Sequence, residues 1–194
     1  MTPLNWLRRL SVVTLALVLM TLPALGPSRS ANAVESTKEY QIKAAFLLNF
    51  VKFIRWPDDI LEPRQPFELC IIGDDYFGPI LEPMAGRSIR ERPVTIRRFD
   101  SQAKLEGCHL LFIAHQTATL EENTLHDLTR RGLLIVGDSP GLAERGAAIN
   151  LITEDKKIRF EINIEAARYA DLQMDGQLLR LGKLVSSQPH RTPF

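Results

Sequence analysis

The chain has 194 residues, of which 45% are hydrophobic and 24% are charged, a composition typical of a globular protein with a core of its own. Its formal net charge is +1. A chain this close to neutral provides no global attraction for nucleic acid, so we expect no nucleic-acid partner.

The first 33 residues have the pattern of an export signal. Arg8 and Arg9 precede the uncharged apolar run 11–25, and the small residues Ala-Asn-Ala end at Ala33. This order predicts a secretory signal peptide over 1–33, cleaved after Ala33. A membrane anchor is the alternative, although the apolar run is shorter than the roughly 20 residues that a span needs.

A long apolar helix is predicted next. Ser36 and Glu39 form a capping box that starts it, and Pro57 ends it after Trp56. Packing on one sheet requires an apolar face over about a third of the helix circumference. The stretch "IKAAFLLNFVKFIRWP" (42–57) is apolar over about twice that fraction. Either the helix is enclosed between the sheet and another element, or its second stripe contacts a partner. The candidate partner-binding residues are Leu47, Val51, Ile54 and Trp56 of this helix, and Leu178 and Leu179 of the last helix.

The rest of the chain alternates between strand and helix patterns. Buried strands are expected at 67–73, 108–114 and 133–138, a half-buried strand at 92–99, a broken helix at 76–86, an amphipathic helix at 119–132, a β-hairpin at 147–164, and helices at 165–171 and 176–185. This order predicts an α/β fold. We expect a single three-layer domain over 34–186, with a mainly parallel sheet, helices on both faces, a C-terminal hairpin plus helices, and a flexible tail over 187–194.

Two cysteines, Cys70 and Cys108, lie in or beside predicted strands. In an oxidising compartment an even pair favours one disulfide, which would close a loop of about 40 residues and stabilise the fold by about 4 kcal/mol. Two buried free thiols are the alternative.

Candidate catalytic residues do not form a complete set. Asp74 and Asp75 follow a strand, as in phosphorylation receiver domains, but Ala114 and His115 stand where that chemistry needs an acceptor aspartate. Ser139 in "GDSPG" is a candidate hydrolase nucleophile, yet the late histidine, His190, lies in the tail. We therefore expect no enzyme.

Sites for bound groups are no better supported. The four histidines lack metal-ligand spacing, and no phosphate-binding loop is present, so we expect no metal and no cofactor. Five arginines over 87–98 form either an anion or partner patch or a solvated sheet edge.

Five motifs follow one another along the chain: "KAAFLLNFVKFIRWP", "LCIIGDDYFG", "CHLLFIA", "LLIVGD" and "INLITEDKKIRFEINIEAARYADLQMDGQLLRLGKLV". The chain resembles the YfiR family of periplasmic proteins over about 36–186. The resemblance implies an α/β homodimer in the periplasm that represses an inner-membrane diguanylate cyclase of YfiN type and so controls cyclic-di-GMP. It also implies a second partner, an outer-membrane lipoprotein of YfiB type that sequesters the repressor.

These observations favour a non-catalytic periplasmic regulator that binds a membrane signalling enzyme. Two alternatives stay open. One is a periplasmic protein that senses a small molecule in a pocket at the strand ends, and the other is a secreted hydrolase that uses Ser139.

Overall fold

A computed structural model describes residues 29–62, 64–99, 105–114, 125, 128 and 132–187. The chain divides into two compact units, residues 1–34 and 35–194, and the fold below is that of the second. Most of the signal peptide predicted over 1–33 and nearly all of the tail predicted over 187–194 lie outside the described residues, so both stay predictions.

The described part contains three α-helices and ten strands. The helices are α1 (Arg29–Phe53), α2 (Ile164–Tyr169) and α3 (Gly176–Leu181). The strands are β1 (Ile54–Arg55), β2 (Phe67–Ile72), β3 (Ser88–Ile89), β4 (Arg92–Phe99), β5 (Leu110–Ile113), β6 (Leu134–Gly137), β7 (Ile149–Glu154), β8 (Lys157–Asn163), β9 (Gln173–Met174) and β10 (Lys183–Val185). Two 3-10 turns, Gly78–Ile80 and Glu82–Met84, replace the broken helix predicted at 76–86.

Eight strands form one sheet in the order β10-β8-β7-β6-β5-β2-β4-β3. The β7–β8 and β3–β4 pairs are antiparallel hairpins, and the other pairs are parallel. The prediction of a mixed α/β fold with a mainly parallel sheet and a hairpin at 147–164 is therefore confirmed. The three-layer arrangement stays a prediction, because the helix expected at 119–132 is described only at Leu125, Leu128 and Gly132.

Hydrophobic residues fill both faces of the sheet. Successive side chains of a strand point to opposite faces, so Leu69 and Ile71 of β2 join the cluster that contains α1, while Cys70 and Ile72 join the other cluster. Strands β5 and β6 are buried at every position, as parallel strands covered on both faces are. We call the two ends of these parallel strands the carboxyl-end rim and the amino-end rim of the sheet.

The predicted bounds of two helices are wrong. Helix α1 starts before Ser36 and ends at Phe53 rather than Trp56, because Ile54 pairs with Met174 in the small β1–β9 ladder. Helix α3 ends at Leu181 rather than 185, because Gly182 turns the chain into edge strand β10. A Cβ at Gly182 would lie 2.6 Å from Ile162, so only glycine allows this close approach to β8. Within the described residues, no helix combines the length and hydropathy that a membrane span requires.

Candidate functional site

Four of the six candidate partner-binding residues lie in the core. Leu47 and Ile54 are 0% exposed, Leu178 is 3% exposed and Val51 is 4% exposed. They belong to one hydrophobic cluster that also contains Leu172 beside β9. The premise that they form exposed surface is therefore corrected: α1 is enclosed between the sheet and the C-terminal elements, which was the alternative arrangement.

Trp56 and Leu179, the other two candidates, are half-buried against the same cluster. The Trp56 ring meets Phe67 edge to face, with centroids 5.1 Å apart, and its indole N–H donates to the main-chain oxygen of His109 at 3.2 Å. Because Phe67 begins β2 and His109 precedes β5, Trp56 lies at the amino ends of these parallel strands. Both contacts hold the ring in a fixed orientation at this rim.

A cavity of about 550 Å³ opens beside Trp56, and we call it the amino-end cavity. Arg55 and Arg168 line it from β1 and α2, and Asp58 and Asp171 line it as well. Within the described part of the chain, neither arginine forms an ion pair. A fixed indole ring between two available guanidinium groups is suited to binding a protein side chain, because Trp and Arg are enriched among residues that dominate interface energies.

His109 supports Trp56 from inside the protein. Its Nδ1 accepts the main-chain N–H of Glu68 at 2.9 Å, and its ring stacks on Phe67 with centroids 5.4 Å apart. The residue is 2% exposed, and burial lowers the pKa of its imidazole below the usual 6.5. His109 is therefore an interior residue whose Nδ1 has a hydrogen-bond partner.

A disulfide joins Cys70 of β2 to Cys108, with Cα atoms 5.9 Å apart. The predicted pairing is therefore confirmed over two free thiols. Since Cys108 precedes His109, the bridge ties the segment that supports Trp56 to the centre of the sheet.

The arginine run over 87–98 lies at the surface, on or beside strands β3 and β4, and most of its members bond to the protein's own main chain. Four of its five members donate to main-chain carbonyl oxygens of neighbouring loops or of the end of α1: Arg90, Arg92, Arg97 and Arg98. Arg87 is exposed, and its side chain forms no hydrogen bond or ion pair with the described residues. The run therefore lies on a solvated edge of the sheet, which was the second alternative, and its bonds to the main chain were not indicated by the sequence.

A buried polar cluster lies at the opposite rim, at the carboxyl ends of the strands. Lys43 of α1 contacts Asp138 after β6 at 2.6 Å and Glu39 at 2.6 Å, and the side chains of Lys43 and Asp138 are only 5% and 1% exposed. The Tyr40 hydroxyl donates to Asp138 at 2.9 Å. Burial and the Asp138 carboxylate raise the pKa of Tyr40, so this hydroxyl stays protonated.

A second cavity, of about 520 Å³, opens beside this cluster, and we call it the carboxyl-end cavity. The sequence patterns did not indicate the polar cluster of Tyr40, Lys43 and Asp138. Lys43 and Asp138 are 95 residues apart in the chain, so no local pattern indicates their contact.

The model of the YfiR/HmsC-like family matches residues 40–183, which is more than half of the chain. The chain belongs to the YfiR/HmsC-like family. This membership agrees with the resemblance that the motifs indicate, and the matched residues contain the strands of the large sheet up to the first residue of β10. The family consists of periplasmic proteins that regulate cyclic-di-GMP signalling together with other signalling proteins, and it is known as regulatory rather than catalytic. A disulfide fits the oxidising periplasm.

The candidate catalytic residues of this YfiR/HmsC-like protein lie apart or have structural contacts. Asp75 accepts the main-chain N–H groups of Phe77 and Gly78, both at 3.0 Å, so its carboxylate stabilises the turn after β2. Ser139 follows β6 whereas His109 precedes β5, so these two residues lie at opposite rims of the sheet. His115, His126 and His190 lie outside the described residues. Within the described ranges, no three His, Cys, Asp or Glu residues form a metal-binding group.

Exposed apolar side chains concentrate at the edge of the sheet of this YfiR/HmsC-like protein. Leu181 of α3 is 73% exposed and Leu184 of β10 is 55% exposed. Among the described strands, β10 pairs with β8 alone, so its outer main-chain groups face away from the sheet. An edge strand that carries exposed leucines is a surface on which another strand can pair.

Proposed function

We propose that this YfiR/HmsC-like protein is exported, loses residues 1–33, and represses an inner-membrane diguanylate cyclase of YfiN type by binding its periplasmic portion. The amino-end cavity is the contact surface in this proposal. The observation that carries it is Trp56, held by Phe67 and His109 between two arginines that have no ion-pair partner among the described residues.

The mechanism of repression that we propose is occupancy. Binding favours an inactive arrangement of the cyclase sensor portion, and release shifts the population towards the active one. An outer-membrane lipoprotein of YfiB type would relieve repression by competing for the same cavity.

The binding test uses charge reversal on the cavity rim. Arg168→Glu and Trp56→Ala should each weaken binding to the purified periplasmic portion of the cyclase by tenfold or more, and should raise cyclic-di-GMP in cells. Arg168 is exposed, so Arg168→Glu should keep the wild-type unfolding midpoint. Trp56→Ala removes a half-buried ring, so its binding is measured at a temperature at which circular dichroism shows it folded. Arg145→Glu is the matched control, because Arg145 is exposed at the carboxyl-end rim.

Two results would contradict the proposal. If the wild-type protein binds no cyclase, repression by contact is wrong. If it binds but Arg168→Glu and Trp56→Ala bind as tightly as wild type, the contact surface lies elsewhere.

We also propose a homodimer formed through the exposed edge of β10. Leu184→Glu should shift the molar mass measured by light scattering from dimer to monomer, because a charge there is buried on pairing. Ile42→Glu is the control, since it adds the same charge at an apolar residue of α1 that is 48% exposed. A wild-type protein that is monomeric at all concentrations would contradict the dimer.

A further inference from the structure

The carboxyl-end cavity lies where open α/β sheets commonly bind ligands, outside the carboxyl ends of parallel strands. Tyr76 reaches it from the loop after β2, and Asp138 follows β6 directly. Strand β7 runs parallel to β6 and continues past the end of β6, which places Leu151 and Thr153 on the cavity wall. A volume of about 520 Å³ is in the range of small-molecule sites.

The charges on the cavity wall favour a cation. The charged lining residues are Glu39, Lys43 and Asp138, two carboxylates and one ammonium, so one negative charge is in excess. Lys43 contacts both carboxylates and is 4% exposed, so its charge is already neutralised inside the protein. The Glu39 side chain is 33% exposed and presents the excess charge to the cavity.

The aromatic residues favour a cation with an apolar body. Tyr40 stacks on Tyr76 with ring centroids 5.3 Å apart, which fixes the orientation of Tyr76. Tyr76 is 39% exposed, so it presents ring surface to a ligand. Aromatic faces attract ammonium groups, and the effect adds to that of a nearby carboxylate. Thr153, whose hydroxyl donates to Glu39 at 3.4 Å, sets the position of that carboxylate.

We propose that the carboxyl-end cavity binds a small organic amine, with its ammonium group at the Glu39 carboxylate and its apolar body against Tyr76 and Leu151. This inference does not rest on the repressor function, because it concerns the opposite rim of the sheet and needs no protein partner.

Calorimetric titration of the exported protein with three matched probes tests the site. Phenethylamine carries the ammonium, 2-phenylethanol is its neutral counterpart, and 3-phenylpropionate is an anionic one. We expect saturable binding of the amine, at least tenfold weaker binding of the alcohol, and the weakest binding of the anion. Equal binding of all three, or no saturable binding of the amine at millimolar concentration, would overturn the proposal.

Variants identify the residues. Glu39→Gln should weaken the amine at least fivefold and reduce its preference over the alcohol, because the amide keeps the hydrogen-bonding oxygen but removes the charge. Tyr76→Leu should weaken both neutral and charged probes, since it removes ring surface from the rim. Glu106→Gln, an exposed acid at the amino-end rim, should change neither. Unchanged amine affinity in Glu39→Gln, with an unchanged unfolding midpoint, would show that the cluster is structural alone.

Discussion

The Lys43 ammonium lies 2.6 Å from the Asp138 carboxylate, and this buried pair joins helix α1 to the end of strand β6. Both charges are almost fully removed from solvent, so each depends on the other for compensation. Removing one member leaves an uncompensated buried charge, which typically costs about 3–5 kcal/mol.

We therefore predict that Lys43→Met lowers the free energy of unfolding by about 3 kcal/mol, measured in urea. The double variant Lys43→Met with Asp138→Leu should recover part of the loss, because it leaves no buried carboxylate at 138 and the Glu39 carboxylate, which also loses Lys43, is 33% exposed to solvent. Equal destabilisation in the single and double variants would mean that packing, not the pair, determines the effect.

Removal of the disulfide should also lower the free energy of unfolding. Cys70 and Cys108 are 38 residues apart in the chain, so the bridge should stabilise the fold by about 4 kcal/mol through the entropy of the unfolded chain. Replacing both cysteines with alanine should lower the free energy of unfolding by an amount up to that value. Dithiothreitol should destabilise the wild-type protein and leave the double variant unchanged; a wild type indifferent to reductant would contradict this.

The hydrogen bonds of Arg90 should stabilise the end of α1. Its guanidinium donates to the main-chain oxygens of Lys52 at 2.5 Å and of Ile54 at 3.2 Å, from the left-handed turn between β3 and β4. Arg90→Ala should therefore cost about 1–2 kcal/mol in the free energy of unfolding. Arg87→Ala, an exposed member of the same run, is the control and should be neutral within about 0.5 kcal/mol.

Local patterns in the sequence predicted most elements of the large sheet, because the buried strands and the 147–164 hairpin have their own signals. What they could not predict depends on contacts distant in the chain. The surplus apolar surface of α1 was visible, but the atoms that cover it come from the segment around Leu172 and Leu178. The Phe53 oxygen accepts the N–H of Asp175 at 2.8 Å, a contact that no local pattern indicates.

At both rims of the sheet, the contacts that the sequence could not predict join residues that are distant in the chain. Trp56 was a candidate residue, but Arg168 joins it only through the fold. Lys43 interrupts the apolar side of the helix in the sequence, and its partner Asp138 follows a strand 95 residues later. Polar residues that meet across the fold were therefore missed, whereas apolar periodicity and the cysteine pair were not.

Burial of the predicted docking stripe makes a further prediction. Val51→Asp should unfold the protein or lower its free energy of unfolding by more than about 3 kcal/mol, since it places a charge in a site that is 4% exposed. Trp56→Ala removes a half-buried ring at the rim and should leave the fold intact by circular dichroism. A folded Val51→Asp variant with wild-type stability would show that the stripe is accessible after all.

Buried His109 makes stability depend on pH. Burial lowers the pKa of its imidazole in the folded protein below the value of 6.5 expected when unfolded. The unfolded chain therefore binds the proton more tightly, and the free energy of unfolding should fall as pH drops below about 6.5. His109→Gln offers an oxygen to the Glu68 N–H and has no proton to gain, so its stability should change less between pH 7 and about 5. The wild type and the variant share the other three histidines. If the free energy of unfolding changed with pH by the same amount in both, His109 would not be the cause of the pH dependence.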